Sequence, residues 1–186
     1  MPQLSLSGVA VRVREAHRSD RRAVRGVLLA AYSEYATALP PAVFGPYLAD
    51  ILDLDARAGA GRLLVAEHGS RLVGTVTFYE DAAAEGVGWP AGWAGLRALG
   101  VNPAVRRLGV GRALLDACLE RARVARAPVL GLHTAAFMPA AVAMYEAMGF
   151  RRAPSFDFEA TSHLRLQDTE PVRILAYRLD LSVNQQ

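Results

Sequence analysis

Hydrophobic residues along this chain follow two spacings, and the points where one gives way to the other mark its elements. Val9, Val11 and Val13 alternate with Ala10, Arg12 and Arg14, the two-residue period of a half-buried strand. Residues 1–8 ahead of it read as a loose leader. Val24, Val27, Leu28, Ala31 and Tyr35 return at three- and four-residue steps, one face of a helix that Ser19 or Asp20 can cap and Leu39-Pro40-Pro41 ends. A second helical stretch, with Pro46 near its start, carries Tyr47, Leu48, Ile51 and Leu52 to the Gly59-Ala60-Gly61 break. Leu63-Leu64-Val65-Ala66 and the β-branched run 72–79 read as two hairpin strands joined by Gly69-Ser70.

A glycine-rich connector, 81–92, leads past Trp89 and Trp93 to an apolar strand over 96–101. That strand stops at Asn102-Pro103, because proline removes a backbone donor and disfavours helical angles in the residue before it. Leu114, Leu115, Cys118, Ala122 and Ala125 then form the apolar stripe of a helix whose other side carries Arg112, Asp116, Glu120 and Arg123. Pro128 precedes a strand at 129–134, and a helix bearing Tyr145 ends at Gly149. Late strands are predicted at 156–158 and 174–181, with a polar loop at 161–171 between them. This order predicts an α+β, or mixed α/β, single sheet. With no internal repeat and no linker-like shift of composition, the chain reads as one domain over 1–186.

The most informative stretch is the hand-over from the 96–101 strand to the following helix, where Arg106, Arg107, Leu108, Gly109, Val110, Gly111 and Arg112 stand in succession. The first N–H groups of a helix have no intrahelical partner and the dipole leaves that end positive, so a phosphate can be met there by several main-chain donors. Gly109 and Gly111 carry no side chain to hold such a ligand off, and the arginines add charge. Two common phosphate loops are excluded by single residues. A Rossmann fingerprint wants glycine where Leu114 stands, and a Walker A loop wants lysine, whereas all 21 Lys+Arg residues are arginine.

Arg106-Arg107-Leu108-Gly109-Val110-Gly111 resembles the pyrophosphate loop of the GNAT superfamily, the Gcn5-related N-acetyltransferases: Arg or Gln, two residues, Gly, one residue, Gly or Ala. Leu99-Gly100-Val101-Asn102-Pro103 looks like the end of that family's fourth strand, and residues 140–150, with Tyr145 and Gly149-Phe150, are similar to its later helix. The resemblance implies a central, mostly antiparallel mixed sheet of about six or seven strands, about four flanking helices and a splayed parallel strand pair. It also implies acetyl-CoA as acyl donor and a primary amine of a small molecule or peptide as acceptor. Carried over residue by residue, the backbone of Leu99 and Val101 would pair with the pantetheine arm, Arg106, Arg107, Leu108, Gly109, Val110, Gly111 and Arg112 would hold the pyrophosphate, and Tyr145 would act as general acid to the departing thiolate after direct attack. The sequence departs from the family in two places. Met138 stands where an Asn is common, and the fourth strand lacks a Glu to relay a proton, leaving Glu80, Asp81, Glu85 and His133 as candidate bases.

Composition narrows the alternatives. Hydrophobic residues at 52% and charged residues at 21% suit a soluble globule, with no run long enough to cross a bilayer and no signal-like start, so a cytoplasmic protein without membrane partners is expected. A net charge of +3 with arginines scattered along the chain argues against nucleic acid as a partner. Cys118, the single cysteine, lies on an apolar stripe and reads as core. His17, His68, His133 and His163 show no metal-ligand spacing, and no metal is expected. Trp89 and Trp93 either wall a substrate pocket or cover a core edge, and Tyr32, Tyr35, Phe44 and Tyr47 either line the acceptor pocket or pack the core. Two other functions stay open, a non-catalytic acyl-CoA sensor and an acetylating toxin acting on tRNA. So does the oligomeric state, a homodimer included.

Overall fold

The computed structural model describes residues 10–181, so the leader at 1–8 and Val9 lie outside the described residues. In chain order the elements are β1 (Val11–Glu15), α1 (Arg21–Tyr32), α2 (Pro41–Leu52), α3 (Leu54–Ala58), β2 (Arg62–His68), β3 (Arg71–Tyr79), β4 (Ala94–Val101), α4 (Val110–Val124), β5 (Val129–Thr134), α5 (Pro139–Ala147), β6 (Arg151–Arg152), β7 (Phe158–Glu159), α6 (Ala160–His163) and β8 (Arg173–Asp180). The strands form one sheet in the order β1-β2-β3-β4-β5-β8-β6, with β7 also on β8. Every pairing is antiparallel except β4 with β5. The mixed α+β domain is therefore as expected, its extra strands and helices being two to five residues long and too short to show a period.

Strand alternation sends neighbouring side chains to two separate cores. On one face the α4 stripe of Leu114, Leu115, Cys118 and Ala122 packs on Leu64, Val76, Leu96, Leu130 and Leu132. On the other, Val24, Leu28 and Ala31 of α1 meet Ile51, Leu54, Val65 and Ala98. Leu114 and Leu115 are fully buried, and truncating either to alanine costs about 2–5 kcal/mol on the general scale for core leucines. Burial pushes the Cys118 thiol up to about 12, so it stays protonated and serves as packing.

Local chemistry moved some boundaries. α2 begins at Pro41, where proline at the first helical position gives up only a donor that had no partner anyway, so Pro46, expected near the start, lies inside the helix. A break that periodicity missed falls at Asp53, whose side chain caps the Ala56 N–H and starts α3. The strand predicted at 156–158 is instead a 3-10 turn at 154–156 followed by β7. Asp157 fixes that arrangement. Its carboxylate accepts from Arg152, Arg173 and the Ala176 N–H, and its pKa is held down to about 2, chiefly by Arg152. The loop predicted at 161–171 opens with α6, where Ala160 and Thr161 are buried.

β4 positions the site. Its parallel pairing with β5 covers Ala94, Gly95 and Leu96 and then stops. One residue beyond Arg97 the register against β3 shifts, Ala98 and Leu99 together facing Val76, and Ala98 takes φ +53. This is a β-bulge with a non-glycine residue in the left-handed region, a conformation that costs on the order of 1–3 kcal/mol. The bulge turns β4 away from β5, and among the described residues their facing edges beyond Leu96 and Leu132 have no strand partner.

Candidate active site

A cavity of about 430 Å³ opens in that gap and runs from the start of α4 to the ends of β5 and β7. At its open end α4 begins with Gly109 at φ +77, a left-handed residue that turns the chain into the helix. Ala113 N–H is the first to find an intrahelical acceptor, the Gly109 carbonyl at 2.9 Å, leaving the N–H groups of Val110, Gly111 and Arg112 directed out of the helix end. The two glycines have different jobs. A Cβ on Gly109 would meet nothing within 4 Å, whereas on Gly111 it would lie 3.2 Å from the Met144 sulfur of α5.

The arginines are less available than the sequence suggests. Both Arg106 Nη atoms donate to Glu34, at 2.8 and 2.5 Å, and the pair holds the Glu34 carboxyl below its ordinary range. Arg112 pairs loosely with Asp116 along the helix. Arg107 makes no ion pair among the described residues, and it borders the cavity together with Arg106, Arg112 and Val110. Leu108 does not border it, and its side chain points outward at 42% exposure.

Leu99 and Val101 line the β4 wall. The Leu99 carbonyl is already engaged, accepting from the Tyr32 hydroxyl at 3.1 Å, a bond that ties the bulge to α1. Tyr145 lines the same cavity from α5, is 4% exposed and packs on Phe150 at 5.9 Å between ring centroids. Burial drives its phenol well above the ordinary tyrosine value, so it keeps its proton throughout the neutral range. Such a group can give a proton to a strong base formed beside it, and it cannot serve as a base.

Of the four candidate bases only His133 borders the cavity. Its ring lies 4.4 Å from Trp89, its Nε2 is 2.9 Å from the Phe156 carbonyl, and burial lowers its pKa to about 4, leaving it neutral but weakly basic. Glu80 and Asp81 are exposed, and Asp81 caps Ala83 and Gly92 in the connector. The Glu85 carboxyl lies against Gly95 with Oε1 buried and unpartnered, and burial pushes it up to about 8. Trp89 packs over Gly131, and neither it nor Trp93 borders the cavity, so the two cover a core edge. Met138, buried, accepts a weak bond on sulfur from the Thr134 hydroxyl at 3.8 Å.

The far end is walled by aromatic side chains. Tyr32 and Tyr47 line it and cluster with Phe137 and with Tyr35, which reaches back to the Glu34–Arg106 pair, at 5.4–6.5 Å between ring centroids, while Phe44 stands apart from the cavity. Two charged residues not singled out from the sequence also line this end, Arg97 of β4 and Asp50 of α2, joined as an ion pair. Arg97 was the findable one, a lone charge inside the apolar run 96–101. Among the described residues no group of His, Cys, Asp or Glu has the spacing to hold a metal, and no helix is long and apolar enough to cross a membrane.

A single mixed sheet that splays at its parallel pair, with a helix N-terminus facing the gap, defines an α+β class of domain. The chain belongs to the Acetyltransferase (GNAT) family, whose description matches residues 28–150, and is thus an acetyltransferase by family. Three solved structures share its fold. The PaiA N-acetyltransferase of Thermoplasma acidophilum, in complex with coenzyme A, is 14% identical with a TM-score of 0.69, over 92% of this chain and 99% of that one. A GNAT-family acetyltransferase of Staphylococcus aureus is 18% identical, TM-score 0.62, over 92% and 99%. The ribosomal-protein-S18-alanine N-acetyltransferase of Escherichia coli is 16% identical, TM-score 0.60, over 94% and 96%. A comparison with curated proteins gave no match.

Proposed function

We propose that this protein transfers the acetyl group of acetyl-CoA to a primary amine of a small molecule or peptide. The observation that carries this reading is the continuous cavity joining the unpartnered N–H groups at the start of α4, the unpaired edge of β4 and Tyr145. Main-chain donors at 109–112 suit a diphosphate, with Arg107 adding an unpaired charge. The β4 edge around Leu99 and Val101 has no strand partner, and its main-chain groups other than the Leu99 carbonyl, which Tyr32 takes, suit the amides of a pantetheine arm without disrupting the sheet. The amine nitrogen attacks the thioester carbonyl carbon, a β4 backbone N–H stabilises the oxyanion, and collapse of the tetrahedral species breaks the C–S bond. Tyr145 then gives its proton to the thiolate, and the proton released from the acylated nitrogen passes by way of solvent to restore the phenol.

The test is thiol release from acetyl-CoA over an amine panel, with calorimetry for coenzyme A binding. Turnover that collapses in Tyr145→Phe supports the reading, and absence of any coenzyme A binding removes it. Met138 and the weak basicity of His133 favour a second reading, an acyl-CoA sensor without turnover. Tight coenzyme A binding with no thiol release on any acceptor, aminoacyl-tRNA included, would select the sensor.

A further inference from the structure

Two carboxylates line the cavity, and they are not equivalent. Both oxygens of Glu34 are occupied by Arg106. Asp50 gives only Oδ2 to Arg97, while Oδ1 takes no hydrogen bond among the described residues and the side chain stays 28% exposed. We propose that Asp50 receives the acceptor as its ammonium, which gives one proton to solvent before the nitrogen attacks, and that the rest of the acceptor is an apolar or aromatic body, an inference that rests on the acyltransfer reading above.

Asp50 is held in place from behind. Its carbonyl accepts from Arg57 Nη1 at 2.9 Å, and Arg57 also bonds the Ile51 carbonyl at 2.6 Å and the Thr77 hydroxyl at 3.3 Å. Arg57 is 5% exposed, so the last turn of α2 is pinned to β3 by a buried guanidinium. In front, Arg97 stands one residue before the Ala98 bulge, so the carboxylate is tied to the strand that opens toward β5. A site held in this way positions a ligand atom with little freedom.

The surroundings limit what else the ligand can carry. Tyr32, Tyr47, Ile51, Phe158, Leu164 and Ile174 supply apolar wall, and tyrosine faces attract a cation. Arg97 gives only Nη2 to Asp50, so its Nε and Nη1, which make no hydrogen bond among the described residues, can meet a carboxylate beside the amine without displacing Asp50. A second ammonium further along the ligand would meet no other unoccupied carboxylate in the cavity. A single ammonium on an apolar or aromatic body fits this inventory, with or without a carboxylate beside it, and a polyamine does not.

Calorimetric titration with four probes tests it: 2-phenylethylamine, phenylalanine (the same body with a carboxylate), 2-phenylethanol (no charge) and spermidine, each with and without saturating coenzyme A. Phenylethylamine should bind at least about tenfold tighter than phenylethanol or spermidine, the range for a hydrogen bond to a charged group, and phenylalanine should bind no weaker than phenylethanol. Asp50→Asn should erase its advantage over phenylethanol while coenzyme A affinity and thermal midpoint stay put. Phenylethanol or spermidine binding as tightly as phenylethylamine to the wild-type protein overturns the proposal, as does no heat with any amine, and these readings need no folded variant. Loss of coenzyme A binding with the amine ranking intact removes the acyltransfer reading and leaves Asp50 as an amine receptor.

Discussion

At the α4 end the cavity is bordered by main chain: a left-handed glycine, three outward N–H groups and a strand edge, with arginines that are partly spoken for. At the opposite end it is bordered by side chains that arrive from α1, α2, β5, β7 and α6, each from a different part of the sequence. A backbone site depends on conformation and close approach and tolerates many side chains, provided two glycines stay small. A side-chain site depends on the identity of each contributor and can change while the fold stays fixed. The first arrangement suits a ligand common to many proteins, the second a ligand particular to one.

If that division holds, altering the backbone end should have the greatest consequence. In the double variant Gly109→Val/Gly111→Leu, valine must adopt φ +77 and the leucine must push against the Met144 sulfur, 3.2 Å from its Cβ. Relieving that strain and overpacking moves the loop and misplaces its N–H donors, and loss of two hydrogen bonds to a charged group lowers coenzyme A affinity roughly hundredfold or more. Phe158→Leu at the other end should leave that affinity within about twofold, as is usual away from a binding contact. Calorimetry on both decides it, and a large loss in Phe158→Leu would show that the ends are not separable.

Tyr145→Phe removes one hydroxyl while leaving the ring stacked on Phe150. The expected outcome is a kcat lower by about hundredfold, the low end for loss of a general acid, with KM for acetyl-CoA nearly unchanged. A change confined to KM would make Tyr145 a binding residue only.

What the sequence disclosed follows the same division. Arg106 to Gly111 is contiguous, because a helix N-terminus is assembled by neighbours in the chain, and Tyr145 sits at a fixed step from Gly149-Phe150. The Ala98 bulge was hidden: alanine has no compositional mark for a positive φ, and the shift exists only in the register against β3. Asp50, Arg57 and Arg97 are 7 to 47 residues apart and meet only after α2 packs on the sheet, so no local spacing announces them. Glycines 95 and 131 were equally silent. One admits the Glu85 carboxyl and the other the Trp89 ring, contacts that exist only once the 81–92 connector folds over the parallel pair.

His133 joins the two ends through stability. Its folded pKa of about 4 lies below the ordinary 6.5, so burial stabilises the neutral form. That contribution is fully present above pH 6.5 and is lost as pH falls from 6.5 toward 4, amounting to about 3 kcal/mol. Denaturant unfolding across that window should show the slope, and His133→Gln should flatten it. A wild-type protein whose stability is level between pH 6.5 and 4 would mean that the imidazole stays solvated.

The smallest effect bears most directly on whether backbone or side chains dominate the α4 end. Glu34→Gln frees Arg106 from a half-exposed pair whose own worth is about 0–1 kcal/mol. If main-chain donors carry the diphosphate, coenzyme A should bind the variant the same or a few-fold tighter, since one more guanidinium becomes available, and the gain should fade with added salt. If Glu34 instead aims Arg106 at the phosphates, affinity should fall by about tenfold, the cost of losing a charge-assisted hydrogen bond. Titrations at low and high salt separate the two, and a fall would make the arginine pair, and not the helix start, the grip on the donor.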